Sequence, residues 1–264
     1  MKIGILSKRT THLTGKIVKY WEKEGHEMSV YTKDNLEINE NLLENDLYLL
    51  KSKRLFFFYA GYYLEAYNVP VIPNTEISRK IKNRLEAYLL VKKAGLLQPN
   101  YFVGNYNVLR EKLGKKDFPL IQKPLIGSGS RGVQVIRSIK DLEEEDNNLV
   151  YLQQFIEGTH YNVYFIGEEI CPLEKPPLSN EHVPMDMVEL TEDIKEVIDT
   201  WRLQYNLLFG HLDIIREESS DKLYVVDPGS FPVFTNWKLD EDPVPKICGL
   251  ILNEYKRLSK TLHH

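Results

Sequence analysis

Between Lys2 and Asn74 the sequence alternates two periodicities, and that alternation narrows the choice of fold more than any other feature. KIGIL (Lys2 to Leu6) is a short apolar run, and Thr14 to Glu24 has helical spacing. EMSVYT (Glu27 to Thr32) reads as a second strand, set off by Gly25. DLYLLKS (Asp46 to Ser52), an aromatic helix around Phe56 to Tyr67, and VPVIPN (Val69 to Asn74) repeat the pattern. Alternating strands and helices favour a parallel sheet covered by helices. The first strand-to-helix turn carries SKRT, so the glycine fingerprint of a dinucleotide fold is absent.

After Thr75 the pattern changes. Ile77, Ile81, Leu85, Tyr88 and Leu89 predict one helix from Glu76 to Ala94, stopped at Gly95. Strands with turns follow: FPLIQK (Phe118 to Lys123), GVQVIRS (Gly132 to Ser138), NLVYLQQFI (Asn148 to Ile156) and YNVYFIG (Tyr161 to Gly167). This change marks a second, α+β module. Lys175 to Val188 is Pro-rich and reads as a long substrate-facing loop. Thr191 is placed to cap a helix from Glu192 to Tyr205. HLDIIRE (His211 to Glu217) and KLYVVDP (Lys222 to Pro228) read as strands, and Val244 to Leu258 as an amphipathic helix.

The 264 residues carry a formal charge of −4, which argues against a general nucleic-acid or anionic-membrane binder. The longest apolar stretch, LFFFYAGYYL (Leu55 to Leu64), is about half the roughly 20 residues of a spanning helix. With only a short apolar run at Met1 to Leu6, the expected location is the cytoplasm. Cys171 and Cys248 stand alone, and neither CxxC nor HExxH occurs, so no disulfide framework or structural zinc site is indicated.

Three groups of residues could carry chemistry. In Lys123-Pro-Leu-Ile-Gly-Ser-Gly-Ser-Arg-Gly132, small residues leave backbone N–H groups accessible to phosphate oxygens. Ser128 and Ser130 add hydroxyl donors, and Lys123 and Arg131 add charge. The same composition also suits a plain hairpin turn, and GxxxxGK[ST] is missing. Asp213 and Asp227 lie on two strands joined by a turn-rich segment. They are either solvent-facing residues or a carboxylate pair that needs a cation between them, for which Mg²⁺ suits. Val150 to Gly158 is either a buried strand or one whose end, Gln153 to Ile156, reads an adenine.

Taken in order, these elements resemble the ATP-grasp superfamily over nearly the whole chain. Its motifs correspond here to Pro73-Asn74, the helix carrying Arg84 up to Gly95-Leu-Leu-Gln-Pro99, Lys123-Pro124 with Gly127 to Val133, Gln153 to Ile156, Leu212-Asp213, and Asp227-Pro-Gly-Ser-Phe-Pro232. The resemblance implies an α/β ATP-grasp fold. It would comprise a Rossmann-like N-terminal parallel sheet unit (1–75), a subdomain with the phosphate loop (76–157) and a C-terminal subdomain with the metal site (158–264).

It also implies the roles of individual residues. Lys123 and Arg84 contact the α- and β-phosphates from two sides, with Arg131 adding charge, while Gly127, Ser128, Gly129, Ser130 and Gly132 close over them. Gln153, Gln154, Phe155 and Ile156 hold adenine, and Glu157, His160 or Tyr161 the ribose. Asp213 and Asp227 hold Mg²⁺, with Mn²⁺ as a substitute. Three departures stand out: Arg84 replaces the usual lysine, Asp227 the usual glutamate, and Gly229 a metal-binding asparagine, for which water, Ser230 or Asn236 could substitute. In addition, Asn162 stands where relatives often carry Arg or Lys.

By the same resemblance, the expected activity is that of a RimK-like ligase. ATP phosphorylates the carboxylate of a small molecule or peptide, and an amine or similar nucleophile attacks the acyl phosphate. Two alternatives are a small-molecule kinase similar to the inositol trisphosphate kinases, suggested by LFGHLDII and VVDPGSFP, and a nucleotide-binding regulatory protein, suggested by Gly229. No nucleic-acid or membrane partner is expected. The aromatic segment Phe56 to Tyr63 suits core packing or a homodimer contact.

Overall fold

The computed structural model describes residues 1–127, 132–143, 149–178, 183–240 and 242–262. The alternating N-terminal pattern forms β1 (Lys2–Leu6), α1 (His12–Lys23), β2 (Glu27–Tyr31), β3 (Leu47–Leu50), α2 (Leu55–Ala66) and β4 (Val71–Ile72), with the parallel sheet order β2-β1-β3-β4. A capping box starts α1. The Thr11 hydroxyl accepts from the Thr14 N–H at 3.2 Å, and the Thr11 N–H donates to Thr14 Oγ1 at 2.7 Å. On α2, Phe57, Phe58, Ala60 and Leu64 are buried, while Leu55, Phe56 and Tyr59 are exposed.

The helix expected over Glu76 to Ala94 is two helices, α3 (Thr75–Lys82) and α4 (Arg84–Lys93). Asn83 breaks it. Its backbone takes an extended conformation (φ −96°, ψ 121°), and its Oδ1 accepts from the N–H groups of Leu85 and Glu86 at 3.0 and 3.2 Å. An asparagine that caps is worth about 1 kcal/mol, and it starts α4 afresh at Arg84.

The middle sheet is antiparallel, in the order β5-β8-β6-β7: β5 (Tyr101–Asn105), β6 (Leu120–Lys123), β7 (Gln134–Ile136) and β8 (Leu149–Gln154). With α5 (Tyr106–Lys112) it encloses its own core of Leu109, Leu120, Ile136, Val150 and Leu152. The third sheet runs β11-β10-β9-β12-β13: β9 (Gly158–Ile166), β10 (Glu169–Lys175), β11 (Asp186–Met187), β12 (Phe209–Glu217) and β13 (Leu223–Gly229). Helices α6 (Glu192–Gln204) and α7 (Val244–Leu262) complete the fold.

Two local expectations are corrected here. The segment from Lys175 to Val188 is not wholly a loop: Lys175 ends β10, and β11 pairs back onto it through Leu173 and Met187. Thr191 sits at the N-cap of α6, but its hydroxyl bonds the Asp193 carboxylate and caps no backbone N–H. Asp193 in turn pairs with Arg216 at 2.7 Å, so the ion pair has taken over the side chain that the hydroxyl contacts.

The third sheet has two unlike faces, as the period-two rule requires. Val163 and Phe165 pack with Ile194, Ile198 and Trp201 of α6. On the opposite face His160, Asn162, Tyr164 and Ile166 of β9 lie in register with Ile215, Asp213, His211 and Phe209 of β12. One end of this face, with Tyr164, Ile166 and Phe209, joins Ile3, Ile5, Trp21 and Ile247 in a shared core. The other end is polar. Lys51, just past β3, ties the N-terminal sheet to the segment after β13 by donating to the Phe231 and Pro232 carbonyls at 2.6 and 2.9 Å. Among the described residues, no helix is long and apolar enough to cross a membrane.

Candidate active site

The polar end of the third sheet faces the end of β6, and Lys123 spans the space between them. Its ammonium donates to Gln153 Oε1 on β8 at 2.6 Å and to the Val226 carbonyl on β13 at 3.4 Å. Burial pushes the Lys123 ammonium down to about 8, with Asp227 opposing that shift and Arg84 reinforcing it. A lysine is therefore held in a dry place beside a second cation. That arrangement is costly until an anion arrives.

Arg84 owes its position to Asn83. As the first residue of α4 it lies against the strand-to-loop junction: its N–H bonds the Leu125 carbonyl at 2.9 Å, and its guanidinium donates to the Pro124 carbonyl. Its Nε is buried without a partner. Lys82 bonds the Gly127 carbonyl at 2.9 Å, so both ends of the helix break hold the root of the loop. At Gly127 a Cβ would lie 2.7 Å from Arg84 Nη1, so a larger residue there would displace the guanidinium. Gly132, at φ 69°, closes the segment against Pro124. Ser128, Gly129, Ser130 and Arg131 lie outside the described residues.

Arg84, Lys123, Gln153, Gln154, Phe155, Ile156, His160, Asp213 and Asp227 line one cavity of ≈ 80 Å³. Phe155, Ile156 and His160 also line an adjoining groove of ≈ 630 Å³, where Glu157 lies. The end of β8 is fixed from outside the cavity: the Gln154 N–H donates to the Asn100 carbonyl at 2.7 Å, and Asn100 Nδ2 to Gln154 Oε1 at 3.1 Å. Burial and the charge of Lys175 push the His160 imidazole below its usual value, so it is neutral near pH 7. A larger cavity of ≈ 600 Å³ lies between Val69–Asn74 and Tyr205–Phe209. None of the candidate nucleotide or metal residues lines it, and its charged pair Glu254 and Arg257 is already joined at 2.6 Å.

Asp213 and Asp227 stand directly opposite each other across β12 and β13, with a register shift just after Asp213. Burial pushes Asp213 up, but Lys175 and His211 outweigh it and its carboxyl is lowered overall. Lys175 Nζ lies 2.8 Å from Asp213 Oδ2, and Asn162 Nδ2 donates to Oδ1 at 2.8 Å. Two facing carboxylates are a hard oxygen pair suited to Mg²⁺ beside phosphates. Among the described residues, no group of three His, Cys, Asp or Glu side chains is placed to hold a metal.

Gly229 is opposite His211, and a Cβ at 229 would collide with the His211 ring. The departure at 229 is thus structural as well as chemical. Lys175, which the Pro-rich sequence pattern places at the start of a loop, belongs to the site as the last residue of β10. A signal was present: Gly167 (φ 60°) supports a two-residue turn that closes β9 onto β10, and Lys175 is in register with His160.

Residues 81–177 match the family model of the ATP-grasp domain. A curated relative, the uncharacterized protein y4rH of Sinorhizobium fredii, is 26% identical; the match covers 44% of this chain, which spans 27% of that relative's length. Among solved structures, the RimK domain protein ATP-grasp from Sphaerobacter thermophilus has a TM-score of 0.75 at 12% identity, covering 96% of this chain and 98% of its own. D-alanine--D-alanine ligase from Bacillus anthracis, complexed with ATP, has a TM-score of 0.74 at 16% identity and covers 99% of both chains. The ATP-grasp ligase PsnB, complexed with minimal precursor, Mg and ADP, has a TM-score of 0.70 at 15% identity and covers 96% of this chain and 98% of its own.

Proposed function

The chain carries an ATP-grasp domain within an ATP-grasp fold, and from that premise we propose that it is an ATP- and Mg²⁺-dependent ligase. It activates a carboxylate as an acyl phosphate for attack by an amine or similar nucleophile. The observation that carries this reading is a small cavity lined by two buried cations, Arg84 and Lys123, together with the carboxylates of Asp213 and Asp227. Such polarity suits a nucleotide whose phosphates meet cations on one side and a metal corner on the other. The ATP-grasp ligase PsnB has been captured with Mg and ADP and, in another structure, with a precursor peptide, which supports this metal and a peptide as one class of substrate.

In this reading Arg84 and Lys123 neutralise the α- and β-phosphates and stabilise charge on departing ADP. Lys175, released from Asp213, faces the γ-phosphoryl group. Gln153 to Ile156 orient adenine, and neutral His160 bonds a ribose hydroxyl. Asp213 and Asp227 would hold Mg²⁺, which when bound supplies charge neutralisation at the β- and γ-phosphates. The substrate carboxylate oxygen bonds the γ-phosphorus as the bond to ADP breaks. The nucleophile then forms its bond to the acyl carbon and inorganic phosphate leaves.

The test is trapping with hydroxylamine in the presence of ATP, Mg²⁺ and a panel of carboxylic acids and acidic peptides. The expected products are a hydroxamate and ADP. A phosphorylated alcohol would replace the ligase by the kinase. ATP-induced stabilisation with no ADP released would favour a regulatory protein, the reading to which the His211 ring over Gly229 lends support.

A further inference from the structure

Asn162 is the least accounted for of the polar side chains at this end of the sheet. It is 3% exposed, and it lies in register with Asp213, which is itself opposite Asp227. Its amide nitrogen is bonded to Asp213 Oδ1 at 2.8 Å, while its amide oxygen is buried with no hydrogen-bond partner. A buried acceptor left unpaired forfeits its hydration with nothing in return, so such an oxygen calls for a ligand. The space at Gly229, two register pairs further along β12 and β13, is filled by the His211 ring.

We propose that Asn162, through Oδ1, supplies the amide oxygen of the metal site, so that the cation is held from three neighbouring strands by Asn162, Asp213 and Asp227. This rests on the reading of Asp213 and Asp227 as the metal corner. An amide oxygen is a hard, neutral donor of the kind that accompanies carboxylates around Mg²⁺ or Mn²⁺. A third donor that is not a carboxylate also fits the absence, among the described residues, of a three-member His, Cys, Asp or Glu cluster.

The experiment compares the affinity of the full chain for a non-hydrolysable ATP analogue, by calorimetry, with Mg²⁺ and with EDTA. In the wild type Mg²⁺ is expected to strengthen binding. Asn162→Leu, similar in size but without the oxygen, should lose that gain by about 10- to 100-fold, with the affinity in EDTA unchanged. Asn162→Asp keeps an oxygen and loses the donor, so it should retain the Mg²⁺ gain. Loss of the gain in Asn162→Asp would mean that the residue only orients Asp213, and would overturn the proposal.

A measurement on the wild type avoids dependence on the folding of variants. With asparagine labelled by ¹³C at the amide carbon, the Mn²⁺-analogue complex should show a ¹³C hyperfine coupling by electron–nuclear double resonance. Its absence would also overturn the proposal. If Asp227→Asn abolishes the Mg²⁺ gain and Asn162→Leu does not, only the role of Asn162 fails. If the wild type shows no Mg²⁺ gain, the metal corner itself fails.

Discussion

At the residue scale, Lys123 makes the clearest pH-dependent claim. Held at about 8 against its usual 10.5, it binds fewer protons in the folded than in the unfolded chain between those values. Stability of the nucleotide-free protein should therefore rise as pH increases from about 8 to about 10.5. ATP affinity should fall over the same range, because the neutral amine no longer attracts phosphate. Lys123→Met should flatten the stability change and abolish ATP-induced stabilisation in thermal melts. An unchanged ATP shift in that variant would remove Lys123 from the phosphate site.

Gly229 makes a different claim. Gly229→Asn alone should destabilise the chain by about 1–3 kcal/mol, the usual cost of overpacking, because its Cβ meets the His211 ring. Pairing it with His211→Ala should recover most of that loss, as read by chemical denaturation. If the single variant is as stable as the wild type, the ring does not fill that space. The motif spacing in the sequence marked position 229 as unusual, but not why: the partner ring comes from another strand, and strand register is not written in the spacing.

At the element scale, Asn83 determines where Arg84 points. Asn83→Ala should cost about 1 kcal/mol through loss of the cap and should also weaken ATP binding, since α4 then has no fixed start beside Leu125. Asn83→Ser, which can still cap, should restore both. A loss of stability with unchanged ATP affinity would separate the cap from the site. The apolar spacing of Ile77, Ile81 and Leu85 runs straight through this break, whereas α4 buries Ala87, Leu90 and Val91 and leaves Leu89 exposed, so the buried face changes across it. The β9–β10 hairpin was the opposite case. Its turn was legible at Gly167-Glu168, but the prolines that follow obscured the strand that brings Lys175 to Asp213.

At the scale of the whole molecule, the three sheets do not share one core. Ile3, Trp21, Tyr164, Phe209 and Ile247 join the first sheet to the third, whereas the middle sheet packs on Leu109, Leu120, Val150 and Leu152. Trp21→Ala should therefore lower the unfolding temperature of the first and third sheets together, at a cost of about 3–5 kcal/mol. Hydrogen exchange resolved by segment should show β1, β3 and β12 losing protection together. Independent loss in β1 would contradict a shared core. The alternating periods made the parallel sheet and the change of pattern after Thr75 legible. Which cores merge depends on distant contacts, such as Lys51 with Phe231 and Pro232, that no local pattern records.

The central claim is that a carboxylate oxygen takes the γ-phosphoryl group of ATP. Its most direct test is to supply the acid identified by hydroxamate trapping with both carboxylate oxygens replaced by ¹⁸O, and to analyse the released phosphate by mass spectrometry. The expected result is one ¹⁸O in each inorganic phosphate, with ADP as the other product. Phosphate without label, or label recovered in AMP, would contradict the acyl phosphate.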